Sequence, residues 1–212
     1  MACPQCKGIE EVFDGREARK DLRKYRKKGP SRTTRMLIDA VSEGGVEGRT
    51  LLDVGGGIGA IQHELLRTGI SAASDVDASS AYIEAARDEA ARQGHEARIS
   101  FRHGNFVDVA DELEQADIVT LDRVICCYHD VEKLVSRSAG LAGRVYGVVY
   151  PRDNWVFKIG VRCANVYMWL IRSSFRAYVH PSSTVDGLVR AEGLTRRFYR
   201  KTLLWQVVVY SR

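Results

Sequence analysis

The chain has 212 residues, of which 45% are hydrophobic and 28% are charged, and its formal net charge is +5. This length fits one α/β domain with a short appendage, and the composition excludes a chain that is disordered throughout. No run of about 18 uncharged apolar residues occurs, which excludes a membrane-spanning helix, and the five cysteines without a secretory segment favour a reduced, cytoplasmic protein over a disulfide framework.

The first part of the chain is predicted to be a helical extension. Residues 1–9 form a short tail in which Cys3 and Cys6 make a CxxC pattern. One such pair suits a thiophilic ion but lacks a matching second pair, so we expect no metal site. Residues 10–28 predict a basic helix, which suits either an anionic partner or a solvated face. A second helix is expected after Ser31, a good N-cap.

From Thr50 onwards the pattern alternates between apolar strands and helices. The predicted strands are Thr50–Val54, Ile70–Val76, Arg98–His103, Ala116–Leu121 and Arg144–Tyr150. The predicted helices between them are Gly59–Thr68, Ser79–Gln93 and Val131–Ala139. This order predicts an α/β fold with a doubly wound, mostly parallel sheet and helices on both faces.

The end of the chain departs from this alternation. Trp155–Phe175 and Ser183–Ala191 are predicted to be helices, and Leu194–Thr202 and Leu204–Ser211 an antiparallel pair of strands. We therefore divide the chain into a helical extension, residues 1–48, and a main domain, residues 49–212.

Residues 152–182 are predicted to be an insertion that covers the substrate as a lid. Its aromatic side chains suit either that role or ordinary core packing. Trp155, Tyr178 and His180 are the substrate-binding candidates that we assign to it.

A glycine-rich loop follows the first predicted strand. The residues concerned are Asp53, Gly55, Gly56, Gly57 and Gly59. Glycines at a strand–helix junction allow a sharp turn and a close approach to a ligand, and the helix start favours a polar or anionic group. Such a loop suits NAD, FAD or S-adenosylmethionine (SAM), and the acid two residues before the first glycine favours SAM.

A carboxylate follows the second strand, 24 residues after Asp53 in the sequence. An acid at this place can accept hydrogen bonds from both hydroxyls of a ribose. Asp75 and Asp77 both qualify, and strand alternation together with the VDAS context is taken to favour Asp77.

The motifs LLDVGGGIG, VDAS and HGNF resemble the successive motifs of class I SAM-dependent methyltransferases. Within this group, the chain is distantly similar to magnesium-protoporphyrin O-methyltransferases and related bacterial enzymes. The similar segments are the helical segment with Tyr25, KGPSRTTRML and LDRVICCYHD. The resemblance implies a Rossmann-like sheet. It also implies that the glycine loop, Asp77 and Ala78 hold SAM, with Asn105 and Phe106 at the adenine and Asp122 close by.

The segment after the fourth strand is expected to line the substrate crevice, because open α/β sheets bind ligands beyond the carboxyl ends of their strands. Arg123 and Cys126 are its substrate-binding candidates. His129, whose intrinsic pKa suits a general base, and Tyr128 are its catalytic candidates. Tyr25, from the N-terminal helices, is expected to be a third catalytic candidate.

We therefore expect an enzyme that transfers a methyl group from SAM to a small molecule and releases S-adenosylhomocysteine. Two alternatives stay open: an RNA- or protein-directed methyltransferase that docks through the basic helix, and a non-catalytic protein that binds SAM or a nucleotide. We expect no nucleic-acid partner, and a monomer or a homodimer.

Overall fold

The computed structural model describes residues 4–212, so Cys3 lies outside the described part of the chain. The strands are β1 Thr50–Val54, β2 Ala72–Asp77, β3 Ile99–His103, β4 Ala116–Asp122, β5 Ala142–Pro151, β6 Thr195–Lys201 and β7 Trp205–Ser211. The helices are α1 Pro4–Val12, α2 Gly15–Lys28, α3 Arg32–Ser42, α4 Ala60–Thr68, α5 Ser80–Gln93, α6 Phe106–Val109, α7 Val131–Gly140, α8 Trp155–Leu170 and α9 Ser182–Ala191.

The strands form one seven-stranded sheet in the order β3-β2-β1-β4-β5-β7-β6. The first five strands pair in parallel, and β7 pairs antiparallel with both β5 and β6. The predicted α/β fold with a mostly parallel, doubly wound sheet is confirmed. The chain moves outward from β1 to β3 and then returns to β4 on the other side of β1. This reversal opens a crevice at the carboxyl ends of β1 and β4.

The core lies on both faces of the sheet because successive side chains of a strand point to opposite sides. Leu51 of β1 belongs to the cluster under α3 and α4, whereas Leu52 belongs to the cluster under α7 and α9. Leu37 of α3 packs closely over Gly147 of β5, where an added Cβ would lie 2.7 Å from its Cδ1. The crevice is therefore held between two buried layers.

The N-terminal segment differs from the prediction. Most of residues 1–9, which we predicted to be an irregular tail, belong to the helix α1. The single helix predicted over residues 10–28 is divided at Asp14. The Asp14 side chain accepts hydrogen bonds from the N–H groups of Arg16 and Glu17, at 2.8 and 2.9 Å, and so begins a new helix.

The C-terminal part confirms the antiparallel pair of strands and shortens the helix before it. This helix, α8, ends at Leu170 rather than Phe175, because Arg172 takes a left-handed backbone conformation with φ of 58°. In the described range, no helix has both the length and the apolar character needed to cross a bilayer.

Candidate active site

The glycine loop joins β1 to α4 at the crevice. The N–H of Gly55 donates to the carbonyl of Val76 at 2.7 Å, which ties the loop to β2. Gly57 has φ of 60°, a conformation that suits glycine, although a Cβ there would meet nothing nearer than Tyr82 at 3.6 Å. Gly56 is favoured for a steric reason, because a Cβ at this position would lie 2.6 Å from Oδ1 of Asp75. The loop therefore depends on two different properties of glycine.

Asp77 holds the loop from the end of β2. Its Oδ2 accepts the N–H of Gly57 at 3.0 Å, and its Oδ1 accepts the N–H of Ser79 at 2.8 Å. Burial raises the pKa of Asp77, while these two backbone hydrogen bonds lower it. Each carboxylate oxygen has a second lone pair for a further donor, so the side chain can brace the loop and accept ligand hydroxyls.

Two further carboxyls lie under the loop. Asp53 is buried and accepts hydrogen bonds from Thr120 Oγ1 at 2.7 Å and Gln62 Nε2 at 3.2 Å; burial raises its pKa to about 7. Asp75 accepts the N–H of Gly56 at 3.3 Å, and burial, followed by the charges of Asp77 and Asp53, raises its pKa well above the usual range. Asp75 therefore favours its neutral form, and unlike Asp77 it does not line the cavity described next.

A cavity of about 410 Å³ extends from the glycine loop across the crevice. The sequence-predicted residues along its wall are Tyr25, Asp53, Gly55, Gly56, Gly57, Asp77, Ala78, Asn105, Phe106, Asp122, Arg123, Cys126 and Tyr128. Gly59 lies just beyond this wall as the N-cap of α4. Volumes of about 300–1,000 Å³ are typical of small-molecule sites.

The turn after β4 forms one side of the cavity. Asp122 accepts a hydrogen bond from Thr34 Oγ1 of α3 at 2.5 Å and pairs with Nε of Arg123 at 3.0 Å. Arg123 has φ of 65°, so the chain bends sharply there. The bend brings the Sγ atoms of Cys126 and Cys127 to 3.7 Å, and the hydrogen bond between them lowers the pKa of Cys126.

Besides Gly59, four predicted site residues lie outside the cavity wall. His129 is exposed and stacks on Tyr128 with ring centroids 5.2 Å apart, and Trp155 is 72% exposed on α8. Tyr178 donates its backbone N–H to the carbonyl of Cys126 at 2.8 Å, and His180 Nε2 lies 2.8 Å from the carbonyl of Tyr128. Tyr178 and His180 therefore support the turn after β4 from behind.

The N-terminal helices supply wall residues that the sequence analysis missed. Phe13, Asp21 and Cys6 line the cavity beside Tyr25, and Tyr82 of α5 closes the adjoining part. The hydroxyl of Tyr82 donates to Oδ2 of Asp21 at 2.8 Å, which joins α5 to α2. The spacing of Asp21 and Tyr25, one helical turn apart, is the sequence signal that could have identified this face of α2.

The hydroxyl of Tyr25 is already engaged on the side of α4. It donates to Oε1 of Glu64 at 3.1 Å, and Nη2 of Arg67 lies 3.5 Å from it. Burial raises the pKa of Tyr25 above its usual value. Tyr25 therefore presents its ring to the cavity as a neutral, positioned side chain.

Comparison with known proteins finds one matching family model and a set of solved structures with the same fold. Residues 52–142 match a family model described as a methyltransferase domain. No curated protein sequence matches the chain.

Solved structures share the fold at low sequence identity. Magnesium protoporphyrin IX methyltransferase from Synechocystis PCC 6803, with bound S-adenosylhomocysteine, has 16% identity and a TM-score of 0.73, with 98% of this chain and 99% of that chain covered. An O-methyltransferase family protein from Burkholderia thailandensis has 22% identity and a TM-score of 0.66, with coverage of 85% and 56%. Geranyl diphosphate C-methyltransferase from Streptomyces coelicolor A3(2) has 14% identity and a TM-score of 0.69, with coverage of 84% and 77%.

Proposed function

We propose that this chain, a SAM-dependent methyltransferase with the class I fold, transfers the methyl group of SAM to a small organic acceptor in the cytoplasm. The observation that carries the proposal is a single cavity whose wall contains the glycine loop and Asp77 on one side and the turn after β4 on the other. A methyl donor and its acceptor have to meet within one such space.

The described residues fit the donor. Gly57 leaves the wall open beside Asp77, whose two oxygens each retain a lone pair for a ribose hydroxyl. Ala78, Asn105 and Phe106 line the same cavity, where an amide and an aromatic ring suit an adenine.

Bound SAM supplies an electrophilic methyl group on a sulfonium, and the protein mainly has to position it. Correct alignment of two reactants can account for about 7–11 kcal/mol of barrier reduction. Asp122, Arg123, Cys126 and Tyr128 are proposed to hold the acceptor, with Tyr25 opposite them.

Proton removal is proposed to be a minor part of this reaction. Within residues 4–212 no histidine lines the cavity, and the raised pKa of Tyr25 makes that side chain a poor base at neutral pH. His129, the candidate general base, has no position on the cavity wall from which to reach an acceptor.

The test is a methyl-transfer screen. Purified protein is incubated with SAM carrying a labelled methyl group and with pools of small metabolites, RNA and protein, and the labelled product is identified by mass spectrometry. Label in a small molecule supports the proposal, and label confined to RNA or protein refutes it. Absence of label together with no binding of S-adenosylhomocysteine in calorimetry would refute the enzyme itself.

The alternative of a macromolecular acceptor rests on α2, whose basic residues are largely exposed; these include Arg16, Arg19, Arg23, Lys24, Lys27 and Lys28. A strongly salt-dependent affinity for RNA would favour this alternative. The screen above then decides whether binding leads to methylation.

A further inference from the structure

Helix α8 is apolar, yet none of its 16 residues is buried. Trp155, Trp169 and Leu170 are 72%, 67% and 64% exposed. A large exposed apolar patch on a protein surface marks an interaction surface. The exposure of α8 therefore points to an interaction surface.

The half-buried positions show how α8 rests on the protein. Phe157, Val161, Asn165 and Met168 recur every three or four residues and form the inward stripe. We name the outward face the α8 surface; its large apolar residues are Trp155, Val156, Ile159, Val166, Tyr167, Trp169, Leu170 and Ile171.

The hairpin between β6 and β7 extends the α8 surface. Leu203 and Leu204 at its tip are 81% and 47% exposed. The N–H of Arg152, just before α8, donates to the carbonyl of Leu204 at 2.9 Å, and Phe157 meets the ring of Trp205 edge-on at 6.3 Å. The tip is therefore attached to the first turn of α8.

Basic residues outnumber acidic ones around the α8 surface, where Asp153 pairs with Lys158 at the first turn and Glu11 accepts the N–H of Ser174 beyond the last turn. No acidic residue occurs from 154 to 185, whereas this stretch contains Lys158, Arg162, Arg172 and Arg176. The exposed strand β6 adds four more basic residues and no acidic residue. The excess of cations on and around the apolar face, of which Arg162 and Arg172 are exposed, suits an anionic partner.

We propose that the α8 surface binds the headgroup region of an anionic lipid bilayer. A helix that exposes apolar and aromatic side chains beside Lys and Arg lies in the plane of such an interface, and the basic groups attract anionic lipids. Trp155 at one end and Tyr167 and Trp169 at the other have the amphipathic rings that favour headgroup depth. A second copy of the chain fits less well, because two basic borders would then approach each other.

The site of the proposed reaction lies next to this surface. Asn165 of α8 accepts the N–H of Ala177 at 2.9 Å, and Tyr178 donates its N–H to Cys126 on the cavity wall. Binding at a bilayer would bring the cavity close to molecules dissolved in the membrane, but the binding itself is independent of the identity of the acceptor.

The test is flotation of the full chain with vesicles of phosphatidylcholine alone and with vesicles that also contain phosphatidylglycerol. We expect binding only to the anionic vesicles, with weaker binding at high salt. On these vesicles the tryptophan emission of the wild-type chain should shift to the blue, and the shift should be lost in a Trp155→Phe, Trp169→Phe double variant.

A matched pair of charge reversals locates the contact. Arg162→Glu with Arg172→Glu should weaken vesicle binding at least ~25-fold, from the loss of two basic contacts. Arg19→Glu with Arg23→Glu on α2 makes the same change in net charge and should leave most of the binding intact. All four side chains are exposed, so the folded state should persist, as checked by the thermal unfolding midpoint.

Three results would overturn the proposal. One is no binding of the wild-type chain to anionic vesicles even at low salt. Another is an equal loss of binding from the two charge reversals. The third is a dimer in sedimentation that Leu170→Ser dissociates, because the α8 surface would then be covered by a second copy of the chain.

Discussion

Replacing Asp77 by asparagine tests the central feature of the site. In the wild-type protein both carboxylate oxygens accept backbone N–H groups, from Gly57 at 3.0 Å and Ser79 at 2.8 Å. An asparagine has one acceptor oxygen, so its amide nitrogen would face one of these N–H donors. One loop hydrogen bond is then lost, and a bound ribose loses its charged acceptor.

The expected loss follows from those contacts. A hydrogen bond to a charged group contributes about 1.5–3 kcal/mol. We therefore expect Asp77→Asn to weaken the binding of S-adenosylhomocysteine about 10-fold to 150-fold, as measured by isothermal titration calorimetry. The unfolding midpoint of the ligand-free variant, measured in parallel, separates loop damage from the loss of ligand contact.

Asp75→Asn is the matched control, because this neighbouring residue lies on the same strand. The raised pKa of Asp75 favours its neutral carboxyl, which an amide resembles in shape and charge, and an amide oxygen can still accept the N–H of Gly56. The affinity of the Asp75→Asn variant for S-adenosylhomocysteine should change less than threefold, which corresponds to about 0.6 kcal/mol at most. If Asp75→Asn weakened binding while Asp77→Asn did not, the assignment of the ribose acceptor would be wrong.

Three further changes examine the loop, the candidate base and the buried core. Gly56→Ala should destabilise the fold by about 1–3 kcal/mol in urea unfolding, because the new Cβ would lie 2.6 Å from Oδ1 of Asp75; an unchanged midpoint would contradict the packing described for the loop. His129→Ala should lower kcat less than about 10-fold, because the side chain is exposed and outside the cavity wall, whereas a loss of 100-fold or more would show that the turn brings it to the acceptor. Burial, followed by the charge of His95, lowers the pKa of His63 to about 4, below its unfolded value near 6.5. The contribution of neutral His63 to the free energy of unfolding should therefore be fully present above pH ~6.5. It should be lost as the pH falls towards 4, which lowers the free energy of unfolding by up to about 3 kcal/mol. In urea unfolding, the free energy of unfolding of His63→Gln should depend less steeply on pH than that of the wild-type protein. An identical pH dependence in the two proteins would refute the lowered pKa of His63.

Predictions based on local chemistry agree with the structure. The strand β1, the turn through Gly55 to Gly57 and the helix after it occur where the sequence predicted them. The VDAS context favoured Asp77 over Asp75, and Asp77 lines the cavity whereas Asp75 does not. Strand alternation does not separate the two, because residues two apart share a face of the sheet. These features depend on neighbouring residues, so a short window of sequence contains the information.

Predictions that required distant packing were less complete. The helix predicted over residues 10–28 is divided at Asp14, and its continuation α2 presents Asp21 and Tyr25 to the cavity. The predicted lid residue Trp155 faces away from the cavity, and Tyr178 and His180 support the turn after β4 instead of lining the cavity.

The order of strands and helices, the glycine turn after β1 and the acid at the end of β2 can be predicted from short stretches of sequence, because near neighbours set the backbone conformation. Long-range packing, in contrast, places β7 between β5 and β6, leaves His129 outside the cavity and leaves the apolar face of α8 exposed. The direction in which an element faces depends on burial against segments far away in the chain, and local periodicity does not specify those segments.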